Sequence, residues 1–292
     1  MRPRSIEKIF APPPPHFVGD GFRVHNFIPG IEKLSMQRMD PIIMLDYNSK
    51  HYFAPSETPR GVGVHPHKGF ETVTIAYNGS VAHHDSAGNS GIIHEGDVQW
   101  MTAASGILHK EYHEKEFSRR GGYFQMVQLW VNLPSKFKLS QPKYQAISNS
   151  SMGVFKLKDE KGYIEVIAGT YDKIKGPAST FTAINMFNAV LEAEAEAKFN
   201  FPEKYNTFIL VIEGEITVND SSTVATDHLI LFANQGEEFR IKANDKSKVL
   251  ILSGEPINEP ISAYGPFVMN SREEIIQAYR EFETGKFGYL AD

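Results

Sequence analysis

The chain contains no cysteine, which excludes a disulfide framework, a thiolate metal site and a cysteine nucleophile, and leaves nitrogen and oxygen as the donors for any bound metal. That absence fits a reducing compartment, and the cytoplasm is the expected location. A basic block is also missing: 30 Lys and Arg are interspersed with 35 Asp and Glu for a formal charge of −5. No electrostatic footprint for nucleic acid results, and direct contact with it is not expected. No apolar run approaches the roughly 20 residues that span a bilayer. The first ten residues, Met1 to Phe10, lack the apolar core of a signal peptide, so no membrane association is expected. Helical periodicity is almost absent ahead of residue 271. Histidine is nearly absent from the second half, since ten of the eleven lie at or before His113 and His228 stands alone beyond it.

What remains is an ordinary globular composition, 41% hydrophobic and 22% charged over 292 residues, enough for one large domain or two of about 150 residues. Short runs rich in Val, Ile, Tyr and Phe occupy 22–27, 42–47, 72–77, 97–101 and 123–131, with Gly, Asn and Asp between them. This pattern predicts strands in a sandwich or barrel. The tract Ala11-Pro-Pro-Pro-Pro15 reads as an extended leading arm. A polar stretch at 135–145 reads as the connection between a first domain, 1–134, and a second, 146–292, itself strand-rich from 153 to 253. Near the C-terminus Ser271 and Glu274 have capping-box spacing, Ile275, Ile276, Tyr279 and Phe282 form a stripe, and Gly285 supplies a stop, predicting a helix that packs on a barrel.

The two halves resemble each other. Residues 75–86 align with 210–221 at an offset of 135, matching Gly79 with Gly214, Asp85 with Asp220 and Ser86 with Ser221. At that offset His65 and His67 fall on Asn200 and Pro202. Aligning Gly106 with Gly236 carries Asp97 onto Asp227 and His109 onto Phe239. The second half therefore reads as a copy that lacks the ligand-type residues of the first.

Those residues lie in 63–111. His65 and His67 are two apart, as are His109 and Glu111, and side chains two apart on a strand share a face. Two such strands facing each other would make a pocket of three imidazoles and one carboxylate, a donor set suited to one divalent ion such as Fe(II), Mn(II), Ni(II), Cu(II) or Zn(II), with coordination positions left open. Glu71, four after His67, is a rival fourth ligand if the strand is regular. Gln99, Trp100, Met101 and Thr102 are candidates for the pocket wall. His83, His84, His94 and His113 are expected in turns or on the rim, and 85–91 as a long hairpin loop.

The spacings His65-x-His67-x3-Glu71 and Gly96…Gly106-x2-His109 resemble the two motifs of the cupin superfamily, although Asn78 lengthens the spacing to Gly79 by one and His113 stands where asparagine is common. A closer resemblance is to the pirin family. It rests on His65-Pro-His-Lys-Gly-Phe-Glu-Thr-Val-Thr74, Asp85-Ser-Ala-Gly-Asn89, Gly96-Asp-Val-Gln-Trp-Met-Thr-Ala103, Gln128-Leu-Trp-Val-Asn-Leu-Pro134, Gly254-Glu-Pro-Ile-Asn-Glu-Pro260 and Tyr264-Gly-Pro-Phe-Val-Met269. These blocks extend from His65 to about Phe287. The resemblance implies an all-β chain of two tandem cupin-like barrels of the jelly-roll, double-stranded β-helix type with a C-terminal helix. It implies a metal, usually iron, in the first barrel only. By position it implies His65, His67, His109 and Glu111 as ligands, with Glu71 left as a pocket or supporting residue. Lys110 replaces the family's usual serine, and 48–59 looks irregular, both bearing on access to the pocket. The implied activity is that of an Fe(II)-dependent quercetin 2,3-dioxygenase, with Glu111 taking the 3-hydroxyl proton of a flavonol-like substrate and dioxygen cleaving the ring with loss of carbon monoxide. The partners are then a small aromatic substrate and dioxygen, and the chain is expected to be a monomer. The family also implies a different class, an iron- and redox-dependent regulator that binds a protein partner, and a metal-free binding or storage cupin is the third reading.

Overall fold

The computed structural model describes residues 2–291. The strands expected in the first half form, and most run longer than the apolar runs that signal them: Phe22–Ile28, Ile42–Phe53, Phe70–Asn78, Val98–Thr102 and Gly122–Asn132. The segment 48–59 is not irregular throughout, because the strand continues to Phe53, where Tyr52 and Phe53 pair with Tyr123 and Gly122. Its polar residues carry no apolar alternation, so only the neighbouring strand reveals it.

Two compact units are formed, and neither is a continuous half of the chain. The first contains residues up to Pro12 together with Ser150–Pro256, and the second contains Pro13–Asn149 together with everything from Ile257 onward. The division expected at 1–134 and 146–292 therefore changes at both ends. The N-terminal strand Ile6–Phe10 pairs with Leu229–Phe232, and the place it fills at the edge of its sheet is filled in the other unit by Lys143–Ile147, paired with Val98–Thr102. Nor is the polar stretch 135–145 a linker. Lys138 is buried within it and donates from Nζ to Gly69 O, Asn132 Oδ1 and Val268 O at 2.7–3.0 Å.

Each unit has the same plan, a seven-stranded antiparallel sheet and a separate four-stranded one. In the unit that carries the histidines, the smaller sheet has the order Gly61–His67, Ile107–His113, Val81–Asp85, Ser90–Ile93. In the other the order is Glu196–Asn200, Glu238–Ala243, Glu215–Val218, Ser222–Ala225. The repeat read from the sequence is thus a repeat of hairpins: Gly79 and Gly214 occupy matching turns with φ of +82° and +81°, a region open to glycine at little cost.

The C-terminal helix forms as Arg272–Glu283 with the predicted capping box between Ser271 and Glu274. It buries Ile275 and Ala278 against Phe267, Met269 and Phe287, with Leu108 from the histidine barrel beside them. Ile276 and Phe282, expected in the apolar stripe, are 45% and 39% exposed, with the Phe282 ring still beside Phe267 and Phe287. Among the described residues no helix is long and apolar enough to cross a membrane.

Candidate metal centre

The four residues of the two spaced pairs converge because their strands are antiparallel neighbours in register. His109 lies opposite His65, and Ile107 opposite His67. The register shifts between His109 and Glu111 because the His65 strand carries one extra residue, placing Val62 opposite Glu111, while His109 and Glu111 keep a regular register with Val81–Asp85 and so share one face. The rings of His65, His67 and His109 have centroids 4.2–4.8 Å apart, and their ligand nitrogens lie within 4.8 Å of one another. His67, His109 and Glu111 are buried. Burial, reinforced by the neighbouring imidazoles, holds the pKa values of His67 and His109 well below the ordinary histidine range, so both rings are neutral and present lone pairs.

The supporting contacts set those lone pairs. His65 Nδ1 lies 2.8 Å from Gly63 O and His67 Nδ1 3.4 Å from Pro266 O, which leaves Nε2 of each ring to the pocket. Glu111 Oε1 accepts from Thr74 Oγ1 at 3.2 Å and from Gln99 Nε2 at 3.3 Å, and Gln128 Nε2 lies 3.5 Å from Oε2. His109 differs from all of these. It is fully buried, and neither of its ring nitrogens has a hydrogen-bond partner, an arrangement whose desolvation cost nothing in the protein offsets. A cation coordinated between the imidazoles would take the lone pair of one of the two nitrogens, and three imidazoles with one carboxylate are a suitable donor set.

Glu71 does not join this cluster. The strand carrying His65 and His67 ends at His67, Gly69 adopts φ +90°, and a new strand begins at Phe70, so the regular four-residue spacing that would align Glu71 with the histidines does not exist. In the new strand Thr74 faces Glu111 while Glu71 lies on the opposite face, accepting from Thr102 Oγ1 at 2.7 Å. Burial pushes its pKa up to about 7 against the opposing effect of Thr102 and Trp100. Trp100, opposite Val73, shares that outer face and is a core residue. Gln99 does reach the centre. Met101 has the same parity as Gln99 and packs on Ala103, Ile107 and Tyr144 beside it.

Of the remaining histidines, only His94 is in a loop and exposed as expected. His113 is a strand residue, fully buried, with Nε2 donating to Gly21 O at 2.8 Å and its ring among Phe22, Phe53, Phe117 and Phe124; burial pulls its pKa down to about 4. His84 stacks on Tyr112. His83 sits inside the barrel, fully buried, opposite Glu111 and close enough to group with His109 and Glu111. Proximity to the glycine-rich turn conceals this, although Val81, His83 and Asp85 alternate as one face of a strand. Trp130, which packs on His67 with ring centroids 5.4 Å apart, and Thr74 and Gln128 likewise emerge only from pairing. Lys110 turns away from the pocket by the same alternation and donates to Ala291 O at 2.7 Å.

A cavity of about 340 Å³ opens onto His65, His67 and Glu111, and its walls include Phe22, Val62, Met126 and Trp130. In the second barrel the corresponding positions are phenylalanines. Phe239 pairs with Phe199 as His109 pairs with His65, and Phe201 bonds to Glu237 O where His67 pairs with Ile107. The partners of His65 and His67 are therefore Phe199 and Phe201, one residue from the Asn200 and Pro202 expected from the constant offset. A one-residue slip moves a side chain to the other face: Asn200 and Pro202 are exposed, while Phe199, Phe201, Phe232 and Phe239 stack inside.

Residues 21–131 match the family model for pirin and residues 186–288 the model for the pirin C-terminal cupin domain. A Pseudomonas aeruginosa relative, named provisionally as a quercetin 2,3-dioxygenase, is 45% identical over 272 residues, 93% of this chain and 94% of that one. A pirin-like protein of Solanum lycopersicum is 36% identical over 93% of this chain and 89% of its own. The crystal structure of a quercetin 2,3-dioxygenase from Acinetobacter baumannii superposes with a TM-score of 0.93 at 42% identity, covering 99% of this chain and 100% of that one. With two cupin barrels, one lined by histidines and one filled by phenylalanines, the chain belongs to the pirin family.

Proposed function

We propose that this protein is a metal-dependent dioxygenase of the quercetin 2,3-dioxygenase type, with Fe(II) held by His65, His67, His109 and Glu111. The observation that carries the reading is the fully buried His109, whose unpartnered nitrogens lie among two other imidazoles and a carboxylate at an apolar cavity. The relatives named for this activity support the choice of reaction.

A divalent metal bound there would supply Lewis acidity, easing loss of an enolic proton from the substrate, and a redox partner for dioxygen. The protein supplies the rest. Trp130, Met126, Phe22 and Val62 form apolar walls that bind a planar aromatic substrate and exclude water. Glu111 is the base for the 3-hydroxyl proton of a flavonol-like molecule. Thr74, Gln99 and Gln128 hold its carboxylate in one orientation, which removes the entropy of finding it from the barrier.

Anaerobic addition of Fe(II) and quercetin should shift the flavonol absorption, and admission of air should then bleach it with release of carbon monoxide. His109→Ala should lose both metal and activity. Absence of spectral change and of turnover with any divalent metal would overturn the reading.

A further inference from the structure

Resting on the reading of His109 and Glu111 as metal ligands, we propose that the barrel contains a second, overlapping ligand set, His83, His109 and Glu111, able to hold the cation when His65 is absent. The ligand atoms of these three residues lie within 4.8 Å of one another, the same limit that encloses His65, His67 and His109. Three donors within 4.8 Å of one another lie no more than about 2.8 Å from a common centre, so forming metal bonds of about 2.1 Å moves each of them in by less than about an ångström. All three residues are buried.

The orientation of His83 is that of a ligand. Gln99 Nε2 lies 3.3 Å from His83 Nδ1 and donates at 3.3 Å to Glu111 Oε1. An amide nitrogen can only donate, so Nδ1 is the accepting nitrogen and the ring proton sits on Nε2. Nε2 in turn faces Asp85 Oδ2 at 3.5 Å. A carboxylate behind the imidazole, with the other nitrogen turned inward, is the placement seen in metal-binding histidines, here at a separation longer than a hydrogen bond.

Asp85 is itself held, its Oδ1 accepting from the backbone of Ala87 and Asn89 at 2.9 Å and its Oδ2 from Asn89 Nδ2 at 2.9 Å. Tyr144 stacks on the His83 ring at 5.1 Å and 17°, fixing its plane, and donates to Gln99 Oε1 at 3.3 Å. The amide hydrogens of Gln99 thus bridge the two lone-pair donors, Nδ1 and Oε1, that a cation would bridge. His109 belongs to both sets, and no hydrogen bond in the protein occupies the one lone pair its neutral ring offers. In the phenylalanine barrel Val218 pairs with Ile241 as His83 pairs with Glu111, so that barrel has lost the second set along with the first.

The test is titration of the full-length protein with Co(II), read by its visible bands and by competition with a chelator. His65→Ala should still bind one Co(II), with affinity lowered about 10- to 100-fold and altered bands. The double variant His65→Ala/His83→Gln should fall at least a further tenfold, and X-ray absorption on His65→Ala should count His83 among the imidazoles bound. Far-UV circular dichroism verifies the fold of each variant, and His83→Asn replaces His83→Gln if the latter unfolds. The proposal is overturned if folded His65→Ala binds no Co(II), or if removing His83 from it changes nothing. Wild-type binding by His109→Ala would instead overturn the reading on which it rests.

Discussion

At the scale of single residues, what separates a ligand-type side chain from a core one here is what surrounds it, since His109, Glu111 and His113 share one face of their strand. His109 and His113 are four apart on one strand and both fully buried, yet His113 has a carbonyl partner and an aromatic cage while His109 has neither. Glu71 shows the same rule for carboxylates. Its pKa of about 7, raised from 4.5 by burial, means the folded protein binds a proton there that the unfolded chain has released. Its contribution to stability is fully present below about pH 4.5 and is lost as pH rises through 7, a loss of about 3 kcal/mol by linkage. Glu71→Gln keeps an acceptor for Thr102 and has no charge to bury. Urea denaturation across pH 4–8 should therefore show the variant gaining on the wild type as pH rises, and parallel curves would refute the assignment. The two spaced pairs of ligand-type residues were legible from spacing alone, because period-two alternation is local, while the spacing left Glu71 as a rival to Glu111. His83 and Gln128 were not, since nothing local says which strands will lie opposite Glu111.

At the scale of elements, the break at Gly69 decides the composition of the site. It ends the strand of His65 and His67 and restarts the chain so that Thr74, not Glu71, meets Glu111. A Cβ at Gly69 would sit 1.9 Å from Val268 O, at a φ of +90° that side chains rarely adopt. Gly69→Ala should cost about 2–4 kcal/mol, lowering the midpoint of thermal unfolding by roughly 4–16 °C, and should weaken metal binding with it. An unchanged midpoint in a calorimetric scan would show that the break tolerates a side chain. The repeat was readable at this scale as paired hairpins, but the offset of 135 that holds across Gly79 and Gly214 becomes 134 in the strand of His65 and His67, on the far side of the break at Gly69. Loops gain or lose one residue at little cost to the barrel, whereas a strand cannot slip by one without exposing its core face.

At the scale of the whole molecule, each barrel is completed by a terminal segment from beyond its own stretch of chain. The histidine barrel takes the C-terminal helix and the hairpin whose Pro266 carbonyl faces His67; the phenylalanine barrel takes Ile6–Phe10 and the buried Arg4, whose guanidinium donates to the carbonyls of Phe201, Pro202, Tyr205 and Ala233. A chain ending at Pro256 should keep the phenylalanine barrel folded and lose the tertiary signal and the Co(II) binding of the histidine barrel, as read by near-UV circular dichroism and limited proteolysis. Retention of wild-type Co(II) affinity by that chain would show the segment to be dispensable.

The sequence by itself determined the all-β class, the duplication, the helix with its capping box and the two spaced pairs of ligand-type residues, because alternation, turn glycines and caps are set by neighbours a few residues away. Tertiary structure alone decided that Glu71 and Trp100 face outward, that His83 faces inward, and that the two ends of the chain are exchanged between the barrels. Those outcomes depend on strand pairing across separations of up to about two hundred residues, as between Ile6–Phe10 and Leu229–Phe232, and on bulges and breaks that rotate a face without changing the local pattern.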